Sequence, residues 1–148
     1  MQMRINASMH AERCTQVVIV AEKHPLAREA LADLLSYDGY RAIQAEDLSA
    51  AIAYIENAEN VVAVLVDLDL VGWRAIVRQA AAANIMVIAM RGRHCISTDE
   101  LDRRGVSACF DKPITYGDIA YAIKTFAPVA AALTNQSHAF APAEMRRH

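Results

Sequence analysis

The stretch VVAVLVDLDLVGW, residues 61–73, decides the fold because it joins an apolar run to two carboxylates. The run from Val61 to Val66 is apolar at every position, which is typical of a strand buried on both faces in a parallel sheet. Asp67 and Asp69 follow at its carboxyl end. The segment therefore predicts a central strand that delivers acidic side chains to one edge of a sheet.

Four other short runs are rich in branched and apolar residues. They are QVVIV (Gln16–Val20), YRAIQ (Tyr40–Gln44), IMVIAM (Ile85–Met90) and SACF (Ser107–Phe110). Helical patterns lie between these runs, and parallel neighbours need crossover helices, which are right-handed. Five strands alternating with five helices therefore predict a doubly wound α/β domain with helices on both faces of a parallel sheet.

Apolar residues at helical spacing predict which helix faces pack on the sheet. The first face comprises Leu26, Ala27, Ala30, Leu31, Leu34 and Leu35, the second Leu48, Ala51, Ile52 and Ile55, and the third Ile119, Ala122, Ile123 and Phe126. Pro25 fits a first helical turn, and STDE at residues 97–100 has the form of a capping box. Gly39, Gly72 and Gly105 are predicted to lie in turns.

Composition restricts the class of protein. The chain has 148 residues, 55% of them hydrophobic, which is enough for one domain with its own core. A formal net charge of −2 gives no general attraction to nucleic acid or anionic membranes. Cys14, Cys95 and Cys109 lack the spacing of a disulfide framework or a zinc site, and no signal peptide or long apolar span is evident. We expect a cytoplasmic protein with no nucleic-acid or membrane partner.

The chain divides into three parts by composition. We predict an N-terminal extension over residues 1–14, a folded domain over 15–127 and a mostly disordered tail over 128–148. The tail contains Asn, Gln, Ser, Ala and Pro without apolar periodicity.

Ionisable residues collect at the predicted strand ends. They occur in AEKH (21–24), DLD (67–69), RGRH (91–94) and DKP (111–113). In open α/β sheets, ligands bind outside the carboxyl ends of the strands. A single Asp at a strand end is more often a turn residue or a helix cap. Agreement among four strand ends favours a polar pocket around Asp67.

Three segments of this sequence resemble the response-regulator receiver domain of two-component signalling. They are VVIVAEKHPLAREALADLL, VAVLVDLDL and GVSACFDKPI, and they span most of the predicted domain. The resemblance implies a flavodoxin-like sheet with strand order 2-1-3-4-5. It also implies that Asp67 is the phosphoacceptor, attacking a kinase phosphohistidine, and that Lys112 contacts the phosphoryl oxygens. Asp69 lies where the family supplies a backbone carbonyl to Mg²⁺.

Several positions depart from the family pattern. Glu22 and Lys23 stand where the family has an acidic pair, and Met90 replaces the hydroxyl residue that ends the fourth strand. Arg91 replaces the small residue after it, and Cys109 replaces the switch aromatic. The segment after the acceptor is also short. The resemblance therefore implies a receiver with an atypical site.

These changes alter the charge around the predicted metal ligands Glu22, Asp67 and Asp69. Glu22, Lys23, Asp67 and Lys112 sum to a formal charge of zero, or −1 if the Asp69 side chain turns inward, against −2 in the usual pocket. Because Mg²⁺ prefers several carboxylate oxygens, we expect Mg²⁺ to bind weakly. If Lys23 replaces part of the charge of the metal, its ammonium is expected within hydrogen-bond reach of Asp67; otherwise Lys23 and Glu22 form a partly exposed ion pair.

Three classes of function follow. We favour an atypical, non-enzymatic single-domain receiver in a phosphorelay, phosphorylated at Asp67 by a sensor histidine kinase or phosphotransfer protein. A degenerate receiver that acts as a phosphorylation-independent interaction or dimerisation module remains the alternative. An unrelated flavodoxin-like enzyme or cofactor binder is disfavoured, because AEKHPLAR lacks a Gly-rich phosphate loop after the first strand.

The expected partner surface follows from the same resemblance. With no output domain evident in the sequence, we expect a downstream protein, or a second copy of the chain, to bind the face made by the fourth helix, fifth strand and fifth helix. That face includes Cys109, Tyr116 and Tyr121. Trp73, which follows the short loop, is expected to be a helix residue packed on the sheet.

Overall fold

The computed structural model describes residues 15–93 and 96–135. The strands are β1 (Val17–Ala21), β2 (Arg41–Ala45), β3 (Val61–Asp67), β4 (Met86–Arg91) and β5 (Ala108–Asp111). The helices are α1 (Pro25–Tyr37), α2 (Leu48–Asn57), α3 (Trp73–Ala82), α4 (Thr98–Arg103) and α5 (Tyr116–Asn135). The predicted alternation is confirmed over these residues. The predicted N-terminal extension, Cys14, His94, Cys95 and residues 136–148 lie outside them.

All five strands are parallel, in the order β2-β1-β3-β4-β5. This confirms the predicted fold class and strand order. In the sheet, β2 lies on one side of β1, and β3, β4 and β5 follow in order on its other side. The carboxyl ends of β1 and β3 therefore flank the crevice where ligands bind in this class of sheet.

Two apolar clusters cover the two faces of the sheet. Val64 of β3 packs with Ile55 of α2 and Ile76 of α3 in one of them, the α2–α3 cluster. The next residue, Leu65, packs with Leu35 of α1 and Ile123 of α5 in the other, the α1–α5 cluster. Since successive strand residues point to opposite faces, a strand covered on both sides must be apolar throughout. Each fully buried Leu, Ile or Val stabilises the fold by roughly 1.5–3 kcal/mol, so β3 is fixed at the centre of the domain.

The predicted apolar face of α1 is wrong in part. Leu26 and Leu34 are 83% and 44% exposed, whereas Leu35 is fully buried. The outward residues of the predicted face are Leu26, Ala27, Ala30 and Leu34. Arg28 donates a 3.0 Å hydrogen bond from Nη1 to the carbonyl oxygen of Glu22, so the Arg28 side of the helix is turned toward the sheet. Residues at helical spacing on the other side then face solvent.

The other local signals agree with the structure. The buried residues of α2 belong to its predicted face, and three residues of the predicted α5 face are buried: Ile119, Ala122 and Ile123. The fourth, Phe126, is half-buried, and Ala127 is buried beside it. Pro25 is the first residue of α1, and Ser97 Oγ accepts the Glu100 N–H at 3.1 Å as the cap of α4. Gly72 has a φ of 88°, in the left-handed region that a glycine adopts without strain. It leads into Trp73, which is 5% exposed and packs in the core at the start of α3.

Helix α5 continues to Asn135, eight residues beyond the domain end predicted at residue 127. Its backbone therefore remains helical through Pro128. Within residues 15–93 and 96–135, no helix has the length and hydropathy needed to cross a membrane.

Candidate functional site

Asp67 is the last residue of β3, and its side chain is fully buried. Its Oδ1 accepts hydrogen bonds from the Asp69 N–H and from Lys112 Nζ, both at 2.9 Å. Its Oδ2 accepts the backbone N–H of Lys23 at 3.1 Å. Donors that follow β1, β3 and β5 thus converge on one carboxylate, as the agreement among strand ends predicted.

Glu22 and Asp67 form a pair of neighbouring carboxyl groups with opposite proton affinities. Burial raises the pKa of Asp67, but hydrogen bonds from Glu22, Lys112 and two backbone N–H groups outweigh it and lower the pKa to about 2. Burial raises the pKa of Glu22, and the adjacent Asp67 carboxylate raises it further. Glu22 is therefore the member of the pair that takes up a proton, and Asp67 stays ionised.

Lys112 supplies the cation of the pocket. Its Nζ lies 2.9 Å from Asp67 Oδ1, 3.3 Å from Glu22 Oε1 and 3.9 Å from Asp69 Oδ2. Burial lowers the pKa of Lys112, but Asp67 and Glu22 outweigh that effect and raise it. The ammonium is therefore held charged among three carboxylates, at the place that the DKP segment predicted for it.

The Lys23 ammonium does not take the place of a metal in this structure. The Lys23 side chain is exposed, and only its backbone N–H contacts Asp67. Glu22 precedes it with a side chain that is 2% exposed, and neighbouring side chains of an extended chain point in opposite directions, so Lys23 faces solvent. The inward-facing groups are then Glu22, Asp67, Asp69 and Lys112. With all three acids ionised they sum to −2, the charge of the usual pocket, instead of the −1 predicted with Asp69 turned inward.

The predicted ligands Glu22, Asp67 and Asp69 surround an ammonium group. Among residues 15–93 and 96–135, no three His, Cys, Asp or Glu side chains are arranged to hold a metal ion. Carboxylate oxygens of Glu22 and Asp67 already accept from Lys112 and from backbone N–H groups. In this arrangement the donor set does not fit Mg²⁺, which needs several oxygens facing one point.

Gly92 belongs to this site and was not predicted from the sequence. A Cβ atom at Gly92 would overlap Asp69 Oδ2 and would lie 3.4 Å from Lys112 Cδ. The glycine therefore lets the chain after β4 approach the pocket closely. In the sequence, the position of Gly92 two residues after Met90, near a predicted strand end, was the only indication that it could lie in the pocket.

The altered positions have three different environments. Met90 is fully buried beside Asp67 in the β3–β4 register, where its side chain has no hydrogen-bond donor. Cys109 is a half-buried free thiol packed against the α2–α3 cluster, and burial raises its pKa. Arg91 pairs with Asp111, with 2.6 Å between Nε and Oδ1.

The predicted partner-face residues also differ in their surroundings. Tyr121 is 69% exposed. Tyr116 instead packs against the α1–α5 cluster, and its hydroxyl donates to Asp38 Oδ2 at 2.8 Å. Tyr116 thus joins the start of α5 to the end of α1.

Comparison with known proteins adds structural neighbours only. No family model matches the sequence, and no curated protein matches it. A receiver domain from Clostridium thermocellum matches at a TM-score of 0.70 with 19% identity, covering 80% of this chain and 98% of that one. A CheY-like receiver domain from Methanospirillum hungatei JF-1 matches at 0.73 with 18% identity, over 80% and 98%. A structure described as adenylate cyclase from Rhodopirellula baltica matches at 0.73 with 20% identity, over 82% and 94%.

Because these sequence identities are low, the matches establish the fold and not the function. The strand order and the convergence of Asp67 and Lys112 at the carboxyl edge agree with the resemblance of the sequence segments. The chain therefore has the fold of the response-regulator receiver (CheY-like) domain.

Proposed function

We propose that this protein contains an atypical response-regulator receiver domain in which Asp67 accepts a phosphoryl group. One observation carries the proposal: Asp67 is fully buried yet held ionised, with Lys112 Nζ 2.9 Å from Oδ1. A buried carboxylate is costly unless it is paired and hydrogen-bonded. Such a group at the ligand-binding edge of the sheet is a candidate nucleophile.

The chemistry is a phosphoryl transfer from a phosphohistidine or a small acyl phosphate. An Asp67 carboxylate oxygen forms a bond to phosphorus as the bond from phosphorus to the donor nitrogen or oxygen breaks, and the donor keeps that electron pair. Charge on the phosphoryl oxygens is neutralised by the Lys112 ammonium, which is already positioned beside the acceptor. The partner that fits this chemistry is a sensor histidine kinase or a phosphotransfer protein.

We further propose that labelling of Asp67 depends only weakly on Mg²⁺. Lys112 contacts both Glu22 and Asp67, so a cation is already present among the carboxylates. The pKa of Asp67 is low in this arrangement, so the nucleophile is ionised with Lys112 alone beside it. The charge count therefore no longer supports the expectation of weak Mg²⁺ binding. That expectation rests instead on Lys112, whose ammonium already contacts oxygens of Glu22 and Asp67.

The test is intact-mass measurement after incubation with acetyl phosphate, with and without Mg²⁺. We expect a mass increase of one phosphoryl group in both conditions. Asp67→Asn should abolish it, and Lys23→Ala, whose side chain is exposed, should not change it. Absence of labelling in every condition would contradict the proposal.

A degenerate receiver that binds a partner without phosphate is the second candidate, and Met90 favours it. Its buried apolar side chain fills the register position beside Asp67, where a hydroxyl would donate to a phosphoryl oxygen. Met90→Thr should then raise labelling, at a cost in stability because a hydroxyl enters an apolar cluster. This second function is supported if acetyl phosphate does not label the wild-type protein and the unlabelled protein still binds a partner. A cytoplasmic location and the partner face on α4, β5 and α5 remain predictions.

A further inference from the structure

Arg91, the last residue of β4, joins two other segments through its guanidinium group. Nε and Nη2 lie 2.6 and 3.4 Å from the two carboxylate oxygens of Asp111, the last residue of β5. Nη1 donates at 2.8 Å to the carbonyl oxygen of Ile96, which precedes the cap of α4. A planar fork with several donors suits this arrangement, whereas a lysine would supply only a point charge.

The backbone of Arg91 connects the same group to the acceptor pocket. Its carbonyl oxygen accepts the Lys112 N–H at 2.9 Å, and Arg91 and Asp111 are partners in the β4–β5 register. Lys112 is the residue whose Nζ contacts Asp67. The two ends of Arg91 therefore fix the residue that carries the ammonium and the start of α4.

The first turn of α4 is also attached to α3, through Glu100. Glu100 Oε2 accepts from Arg104 Nε at 2.9 Å and from Arg74 Nη2 at 3.4 Å. The Arg74 guanidinium lies 4.4 Å from the centre of the Trp73 ring, in the range of a cation–π contact. Each of these exposed ion pairs is worth little alone. Together with Arg91 they hold this short helix to β5 on one side and to α3 on the other.

We propose that Arg91 is a positioning residue whose guanidinium group ties Asp111, the residue before Lys112, to the start of α4, so that the position of α4 does not depend on phosphorylation of Asp67. The second half of this statement rests on the proposed function. Two features support it. The register neighbour of Asp67 is Met90, which has no donor to draw the end of β4 toward a phosphoryl group. The guanidinium of Arg91 is already shared between Asp111 and Ile96.

The test is native-state hydrogen exchange of the α4 amides over residues 98–104. Arg91→Ala should accelerate exchange there roughly tenfold, because the loss of charge-assisted hydrogen bonds lowers the free energy of local opening. Arg93→Ala is the matched control, because Arg93 is exposed and its substitution removes one positive charge close to Arg91 in the chain. Exchange in β1 should be unchanged in both variants. Equal α4 exchange in Arg91→Ala and wild type would overturn the proposal.

A second measurement separates positioning from a general loss of stability. If Arg91 acts through Asp111, the effects of Arg91→Ala and Asp111→Ala on α4 exchange are not additive. Arg91→Ala should also slow labelling of Asp67 by acetyl phosphate, because Asp111, the residue before Lys112, loses its guanidinium partner, while Arg93→Ala labels like wild type. Additive effects on exchange, or labelling of Arg91→Ala at the wild-type rate, would overturn the proposal. Asp111→Asn, a change at an exposed side chain, replaces Arg91→Ala if that variant does not fold.

A third measurement compares hydrogen exchange of the α4 amides in the wild-type protein before and after acetyl phosphate labels Asp67. Unchanged exchange supports the proposal, and a change as large as that of Arg91→Ala overturns it. If Asp67 is not labelled at all, the proposed function fails, while the comparison of Arg91→Ala with Arg93→Ala still decides the role of Arg91.

Discussion

The carboxyl ends of β1 and β5 carry the same pair of residue types in opposite orientations. After β1, Glu22 turns inward and Lys23 is exposed. At the end of β5, the Asp111 side chain is 69% exposed, and Lys112 turns inward with a side chain 24% exposed. An acid followed by a lysine therefore gives a buried carboxyl at one strand end and a partly buried ammonium at the other.

The difference in orientation also gives the two acids, Glu22 and Asp111, opposite pKa shifts. Burial raises the pKa of Glu22. The hydrogen bonds from Arg91 lower the pKa of Asp111, which stays in solvent. The comparison shows that the strand register, rather than the residue pair, decides which charge enters the pocket.

The largest expected effect is that of Lys112→Met. It leaves Glu22 and Asp67 side by side without the ammonium, and removing one partner of a buried pair is strongly destabilising. We expect a loss of about 2 kcal/mol in the free energy of unfolding at pH 7, below the full penalty because Glu22 takes up a proton. Urea denaturation followed by circular dichroism measures it. Wild-type stability in this variant would show that the ammonium is not what holds the two carboxyls together.

Glu22→Gln tests the buried acid through pH. A pKa raised above the unfolded value of 4.5 means that the native state holds its proton more tightly than the unfolded chain does. Glu22 thus contributes stability that is present below pH 4.5 and lost as pH rises through the raised value. Glu22→Gln lacks this loss, so its stability relative to wild type should increase from pH 4.5 upward. If urea denaturation gave a constant difference in the free energy of unfolding between the two proteins from pH 5 to pH 8, the raised pKa of Glu22 would be contradicted.

Asp111 should behave in the opposite way. Its pKa is lowered, so its contribution to stability is present above its ordinary value of 3.8 and lost as pH falls. Arg91→Ala should return the pKa of Asp111 to its ordinary range, which a carboxyl-carbon NMR titration measures. Arg93→Ala should leave the titration unchanged, and a shift of equal size in that control would show that general charge, and not the hydrogen bonds of Arg91, sets the pKa.

The smallest effect is expected for Lys23→Met, the counterpart of Lys112→Met at the end of β1. The Lys23 side chain is exposed, and its backbone N–H, which binds Asp67, is kept. The free energy of unfolding should stay within about 0.5 kcal/mol of wild type in the same urea experiment. A loss comparable to that of Lys112→Met would mean that Lys23 reaches the pocket after all.

Sequence periodicity located every strand but placed each end one residue too early. The additional last residues are Ala21, Ala45, Asp67, Arg91 and Asp111. Three of them are charged, and hydropathy cannot identify them because the backbone ladder continues where the polar pocket begins. The strand-end pattern predicted a polar pocket at one edge, since the ends of parallel strands meet there, and the family resemblance singled out Asp67 and Lys112 within it.

Orientation was harder to predict than position. The direction of Lys23 depends on how β1 ends, and the rotation of α1 depends on the contact from Arg28 to the backbone of Glu22. Gly92 and the contacts of Arg91 depend on the approach of β4 to its neighbours, which no short sequence pattern encodes. Side chains that meet across strands are visible only once the register is known.

The stacking of Arg74 on Trp73 gives the protein a built-in optical probe. Trp73 is the only tryptophan of the sequence, and it lies 5% exposed where α3 begins, with the Arg104 guanidinium 5.8 Å from its ring centre. Indole emission responds to nearby charge and to water. The unlabelled wild-type chain can therefore report, in real time in a cuvette, whether the α3–α4 junction opens when a phosphoryl donor or a partner protein is added.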